Sequence, residues 1–242
     1  LRVLSTAALM AMVSSIATAA FAEEYDLNKG SVTVETKDNG NTYVTQANTE
    51  TTDHLDTTGV TITSNGEQTS NTITVNTADN QTTNVTLQDV NIKEDQWSGG
   101  AAMTINGKGD TEIELNGDNT LISGNYHAGL EKAGDVSQGS LTIKDDKNND
   151  GSDKKKEYGY STGGDIGTLI AAGGYDGAGI GGRKNEDGEA TTCTSTSDIT
   201  ITGGQIKAGS LDETEKEYPQ TKLGGAGIGG ATGGGNATNI TI

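Results

Sequence analysis

The chain has 242 residues, with 34 acids against 16 lysines and arginines and a formal charge of −18. So acidic a surface is a poor match for nucleic acid or anionic membrane, which select cationic proteins, and suits cations, neutral polysaccharides or basic surfaces. Only 4% of residues are aromatic and one is proline, which argues against a large compact core.

Leu1 to Ala22 is rich in Leu, Ala, Met, Val and Ile, carries only Arg2 as a charge and closes on Ala20-Phe21-Ala22. It resembles a secretory signal peptide with an A-x-A cleavage site, so residues 1–22 are set apart from the fold. The expected location is secreted, extracellular or on the cell surface. The alternative, a membrane anchor, is disfavoured by a short apolar core that Ser and Thr interrupt, and no other segment is long enough to span a bilayer.

Residues 23–70 hold β-like pieces, Ser31-Val32-Thr33-Val34 and Val60-Thr61-Ile62-Thr63. They are expected to form capping coils at the amino-terminal end, since an open coil exposes a sheet edge.

From residue 71 to 242 the chain repeats. A small-Ala-small-aliphatic pattern occurs as Gly100-Ala101-Ala102-Met103, His127-Ala128-Gly129-Leu130, Gly177-Ala178-Gly179-Ile180 and Gly225-Ala226-Gly227-Ile228. The copies alternate with β-prone triplets: Val85-Thr86-Leu87, Ile113-Glu114-Leu115, Leu141-Thr142-Ile143, Ile199-Thr200-Ile201 and Ile240-Thr241-Ile242. A third apolar segment lies between them, at Val90-Asn91-Ile92, Thr120-Leu121-Ile122, Thr168-Leu169-Ile170 and Gln205 to Ala208. The triplets begin 28 residues apart at 85, 113 and 141, and later units are lengthened by insertions. A constant minimum period with inserted turns predicts stacked coils, a β-solenoid with about three short strands per coil. It also argues against the disorder that low hydrophobicity and high charge can signal.

The single cysteine, Cys193, has no internal disulfide partner. The chain stops at Ile242 within a unit, so the repeat is expected to be incomplete at its carboxyl end, with downstream domains of the same chain missing.

The segments Tyr25 to Val34, Glu112 to Leu121 and Asp198 to Gly204, beside the two GAGIGG copies, resemble a family of secreted bacterial carbohydrate-binding-domain surface proteins. The resemblance covers roughly residues 25–242. It implies a right-handed parallel β-helix related in shape to pectate lyases, cell-surface display, binding of polysaccharide without catalysis and, in some members, calcium.

Two sites stand out. Asp146, Asn148, Asp150 and Glu157 fall in a D-x-N-x-D-G-x5-E pattern, whose alternate oxygens around a Gly-enabled turn suit calcium. The segment follows a strand rather than a helix, and Lys154-Lys155-Lys156 crowds it, so a hydrated acidic excursion without an ion is the alternative. The second site is an edge. Trp97, Tyr126 and Tyr175 each precede a small-Ala-small copy, and stacked corners would set them in a ladder with Asp95, Asp176 and Asn125 alongside. Rings and acids so placed suit a sugar chain lying along the stack; the alternative is that each ring covers its own turn.

An enzyme is the rival class. Arg2 and Arg183 are the only arginines, and His127 stands where other copies have Gly. No pair of carboxylates is singled out as acid and base. The sequence therefore points to an all-β surface binding module without catalysis, its partner a polysaccharide or surface glycan and its cofactor calcium. A structural stalk or adhesin scaffold that displays other domains is the alternative, with a polysaccharide-lyase-like enzyme behind it.

Overall fold

The computed structural model describes residues 22–97, 99–132, 139–148, 151–157, 160–162, 164–184, 193–210, 225–232 and 235–242. No α-helix occurs among them; the one helical element is a 3-10 turn, Leu27–Lys29. In chain order the strands are β1 (Glu23–Asp26), β2 (Val32–Thr36), β3 (Thr42–Gln46), β4 (His54–Asp56), β5 (Val60–Thr63), β6 (Ile73–Thr77) and β7 (Thr82–Gln88). There follow β8 (Asn91–Lys93), β9 (Met103–Gly107), β10 (Asp110–Asn116), β11 (Asp118–Ile122), β12 (Leu130–Glu131), β13 (Leu141–Lys144), β14 (Lys155–Glu157) and β15 (Tyr160–Thr162). The last are β16 (Thr168–Gly173), β17 (Ile180–Gly181), β18 (Thr196–Ile201), β19 (Gln205–Ser210), β20 (Ile228–Gly229) and β21 (Ala237–Thr241).

Parallel neighbours need a long crossover, and here the crossover of each sheet is made of strands from the other two. Sheet one runs β1-β5-β7-β10-β13-β18-β21, sheet two β8-β11-β16-β19, and sheet three β4-β3-β2-β6-β9-β12-β17-β20. All pairings in sheets one and two are parallel. Sheet three is parallel from β2 to β20 and ends in the antiparallel pairs β2–β3 and β3–β4. From β7 onward the chain enters sheets one, two and three in turn, four times over, and returns to sheet one with β21. The antiparallel hairpin β14–β15 is inserted between β13 and β16.

The core is a set of aliphatic columns. In sheet three, Val32, Ile73, Met103, Leu130, Ile180 and Ile228 pair in succession, which aligns the small-Ala-small copies as their sequence does. In sheet one, Val60, Val85, Ile113, Ile143 and Ile201 form one buried column. In sheet two, Ile92, Leu121, Ala171 and Ala208 form another. β2, β6, β7 and β13 alternate inward aliphatic or threonine with outward polar residues, the pattern of a half-buried strand.

Register departs from the sequence alignment in two places. The triplet Leu141-Thr142-Ile143 aligns by its spacing with Ile113-Glu114-Leu115, yet Leu141 pairs with Thr111 and Ile143 with Ile113. Likewise Leu169 pairs with Asn119, and Ala171 with Leu121. Both shifts are by two residues, which leaves every side chain on its own face of the sheet. The position opened opposite Leu169 is filled by the buried Asn119, whose amide accepts from Val90 N (3.1 Å) and donates to the carbonyls of Asn116 (3.0 Å) and Thr168 (3.1 Å).

Residues 23–70 lack the small-Ala-small signature, but β1 and β2 already take places in sheets one and three. β3 and β4 then cover the outer edge of β2. The last edge is short and carries His54 and Asp56, which suits an edge that must not recruit further strands.

Candidate functional site

The corners before β12 and β17 are tight turns. His127 N donates to Gly124 O (3.3 Å), and Gly177 N donates to Gly174 O (3.0 Å). The third residue of each turn has a left-handed backbone, Tyr126 with φ 70° and Asp176 with φ 66°. Asp adopts this conformation readily, whereas for Tyr it costs energy. The two corners are tied together by Tyr126 N to Tyr175 O (2.8 Å), Gly174 N to His127 O (3.1 Å) and Tyr175 N to Asn125 Oδ1 (3.3 Å). The segment before β9 joins through Asn125 N to Gln96 O (2.9 Å) and Gly124 N to Gly100 O (3.0 Å).

This register brings Trp97, Tyr126 and Tyr175 to one corner without superposing them. Tyr126 is level with Asp176, and Tyr175 with Asn125. The two tyrosines are therefore offset by a residue and meet edge to face, with centroids 6.3 Å apart and planes at 80°. That geometry sets the positive edge of one ring against the negative face of the other. It is the one ring pair among the described residues. Trp97 is 82% exposed and Tyr175 46% exposed.

The two acids predicted beside the rings have different surroundings. Asp95 is exposed, and its Oδ1 accepts from Trp97 N (3.0 Å), closing its own turn. Asp176 is buried, 1% exposed. Its Oδ2 is 2.7 Å from Lys184 Nζ, and its Oδ1 is buried without a hydrogen-bond partner. The hydrogen bond to Asp176 holds the Lys184 ammonium above the usual lysine range. Lys184 Nζ also lies 5.9 Å from the Tyr126 ring centroid, so the pair braces the ring from behind. Asp176 thus reaches the Tyr126 ring through Lys184. Sequence reasoning missed Lys184, which enters only because a residue eight positions on folds back beneath the turn.

The same corner carries a second ionic group. His127 Nδ1 lies 2.8 Å from Glu131 Oε2, and Arg183 Nε lies 3.8 Å from Glu131 Oε1. Burial raises the proton affinity of the nearby Glu94. His127 holds the register position of Gly177, as its place in the repeat implied.

The acidic segment after β13 folds back on itself. Lys147 and Asp153 form an antiparallel bridge, Asn148 N donates to Ser152 O (2.8 Å), and Gly151 N donates to Asn148 O (2.8 Å). Gly151 supplies a φ of +80° at this turn, which a Cβ would disfavour. Asp146 and Asn148 lie in the described turn. Asp150 lies outside the described residues, and of Glu157 only the backbone in β14 is described, paired with Tyr160. Among the described residues no group of three or more His, Cys, Asp or Glu gathers to hold a metal ion. Of the lysines that crowd the segment in sequence, the buried Lys154 pairs with the buried Asp145, and within the turn Lys147 pairs with Asp153.

Among the described residues no helix is long and apolar enough to cross a membrane. No family model, no curated protein and no solved structure matches the chain.

Proposed function

We propose that the chain is a right-handed parallel β-helix of a secreted bacterial surface protein, and that it binds polysaccharide or surface glycan without catalysis. The observation that carries this reading is the exposed aromatic corner, with Tyr126 and Tyr175 edge to face at 6.3 Å and Trp97 exposed on the coil before. Rings displayed on successive coils, braced by the Asp176–Lys184 pair, offer apolar faces for the flat side of sugar rings. Exposed Asp95 and the half-buried Asn125 provide polar partners for hydroxyl groups. The cyclic order of strands among three sheets supports the β-helix, and Leu1 to Ala22 supports export.

Affinity electrophoresis of the chain through gels containing neutral polysaccharides tests this. Wild type is expected to be retarded by at least one of them. Trp97→Ala and Tyr175→Ala are each expected to weaken retention about three- to tenfold with an unchanged circular dichroism spectrum. Retention that survives both substitutions would remove the edge as the binding site. A second reading, a stalk that displays other domains, is favoured by the unbroken run of parallel pairings in sheet one from β1 to β21, and absence of retention on every polysaccharide would leave that reading standing.

A further inference from the structure

Trp97 stands in the turn between β8 and β9, three residues after Glu94 and three before Gly100. Acids hold this turn. Trp97 N donates to Asp95 Oδ1 (3.0 Å) and Gly99 N to Asp95 O (2.9 Å), while the Gly100 N–H donates to the Glu94 carboxyl across the mouth of the turn. The Glu94 side chain packs on the turn as well, since a Cβ on Gly99 would lie 2.7 Å from the Glu94 Cβ. The mouth is fixed to the Tyr126 corner by Gly124 N to Gly100 O (3.0 Å) and to β11 by Glu94 N to Ile122 O (2.9 Å).

Glu94 Oε1 is buried and has no hydrogen-bond partner. A buried carboxylate oxygen left so is costly, and a proton on the carboxyl removes the cost. Two charged groups face this carboxyl: Asp95, which raises its proton affinity, and His127, which lowers it. His127 is engaged by Glu131 Oε2 at 2.8 Å, and the other oxygen of Glu131 lies 3.8 Å from Arg183 Nε. Burial outweighs His127, so the Glu94 carboxyl holds its proton above the usual carboxylate range. In an open turn the carboxyl is hydrated and holds the proton less tightly. Acidification through that raised range therefore favours the closed turn, and the preference is lost as pH rises.

We propose that Glu94 is an acid-operated clasp on the turn that carries Trp97: a proton on its carboxyl tightens the turn and raises the affinity of the aromatic corner, and loss of that proton loosens both. The effect on affinity rests on the corner being a glycan site; the closure of the turn does not.

Trp97 is the one tryptophan of the chain, so its fluorescence reports this turn alone. The test is time-resolved fluorescence anisotropy of the full chain at about pH 7.5 and about pH 5, with polysaccharide retention measured at both. In wild type the fast local depolarisation is expected to shrink about twofold at the lower pH, and retention on a polysaccharide that retards the chain to rise about two- to fivefold. Glu94→Gln, which is neutral at both, is expected to show the acid behaviour throughout. His127→Gln removes the facing cation, so the response is expected to move to higher pH; it serves if Glu94→Gln fails to fold. Wild-type anisotropy that ignores pH overturns the clasp, as does a response that Glu94→Gln retains. An anisotropy response with constant retention overturns its control of binding. Absence of retention at both pH values removes the glycan reading instead, and the anisotropy then decides the clasp by itself.

Discussion

A Cβ placed on Gly177 would lie 1.9 Å from the carbonyl oxygen of His127, the residue level with it in the β12–β17 register. The contact is with backbone, so it is relieved only by moving the neighbouring segments apart. Gly100 is level with His127 in the β9–β12 register and has open space around it. Gly177→Ala is therefore expected to cost about 1–3 kcal/mol or more, as overpacking does, and Gly100→Ala to fall within about 0.5 kcal/mol of wild type. Paired thermal melts of the two variants check this. Equal effects would mean that the repeat tolerates a side chain at every copy.

Tyr126 and Tyr175 share a ring contact but not a backbone conformation, since only Tyr126 has a positive φ. Tyr126→Gly removes the edge-to-face contact, worth about 0.5–1.5 kcal/mol, and relieves a left-handed strain of about 1–2 kcal/mol. The two offset, so this variant is expected to melt close to wild type. Tyr175→Gly loses the same contact without relief and is expected to be the less stable of the pair. Denaturant unfolding of both variants measures the difference, and the reverse order would refute the account of strain at Tyr126.

The stack was legible in the sequence because Met103, Leu130, Ile180 and Ile228 recur in one setting and do pair in one column. The register at Leu141 was not, because a strand's pattern repeats every two residues and a shift of two conserves it. The aromatic corner was half legible: the three rings do share an edge, but the level of Tyr126 with Asp176 depends on turn geometry that spacing does not encode. Glu114 was illegible for a different reason. In Ile113-Glu114-Leu115 it reads as an outward, solvated acid, and only the later turn buries it.

Lys132 is 2% exposed, and its ammonium donates to Ser197 O at 2.9 Å. Burial holds it below the usual lysine range, with Asp198 and Asp110 pulling the other way. The folded chain thus releases this proton at a lower pH than the unfolded chain. Between those two values the unfolded chain binds more protons, and stability rises with pH. Lys132→Met removes the buried charge and is expected to be more stable than wild type at neutral pH, with the gap narrowing as pH rises towards about 10. Tyr25, whose burial pushes its phenol up, also enters at alkaline pH, but it is present in both chains and cancels in the difference. A gap independent of pH would show that Lys132 titrates alike in the folded and unfolded chains, and would refute its depression by burial.

The inserted turn is also held by the pair Asp145–Lys154, with side chains 8% and 2% exposed. Asp145 Oδ1 accepts from Gly167 N (3.2 Å) as well, at the point where the chain leaves the insertion for β16. Removing one member of a buried pair leaves the other as an uncompensated charge, which costs about 3–5 kcal/mol, whereas removing both charges costs far less. Lys154→Met is therefore expected to be strongly destabilising. Lys154→Met combined with Asp145→Asn is expected to recover most of the loss, because Asn keeps an acceptor for Gly167 N and carries no charge. A double-mutant cycle by denaturant unfolding separates this from simple packing. If the double variant is less stable than Lys154→Met alone, the lysine acts through its buried methylenes rather than its charge, and the insertion is anchored by packing.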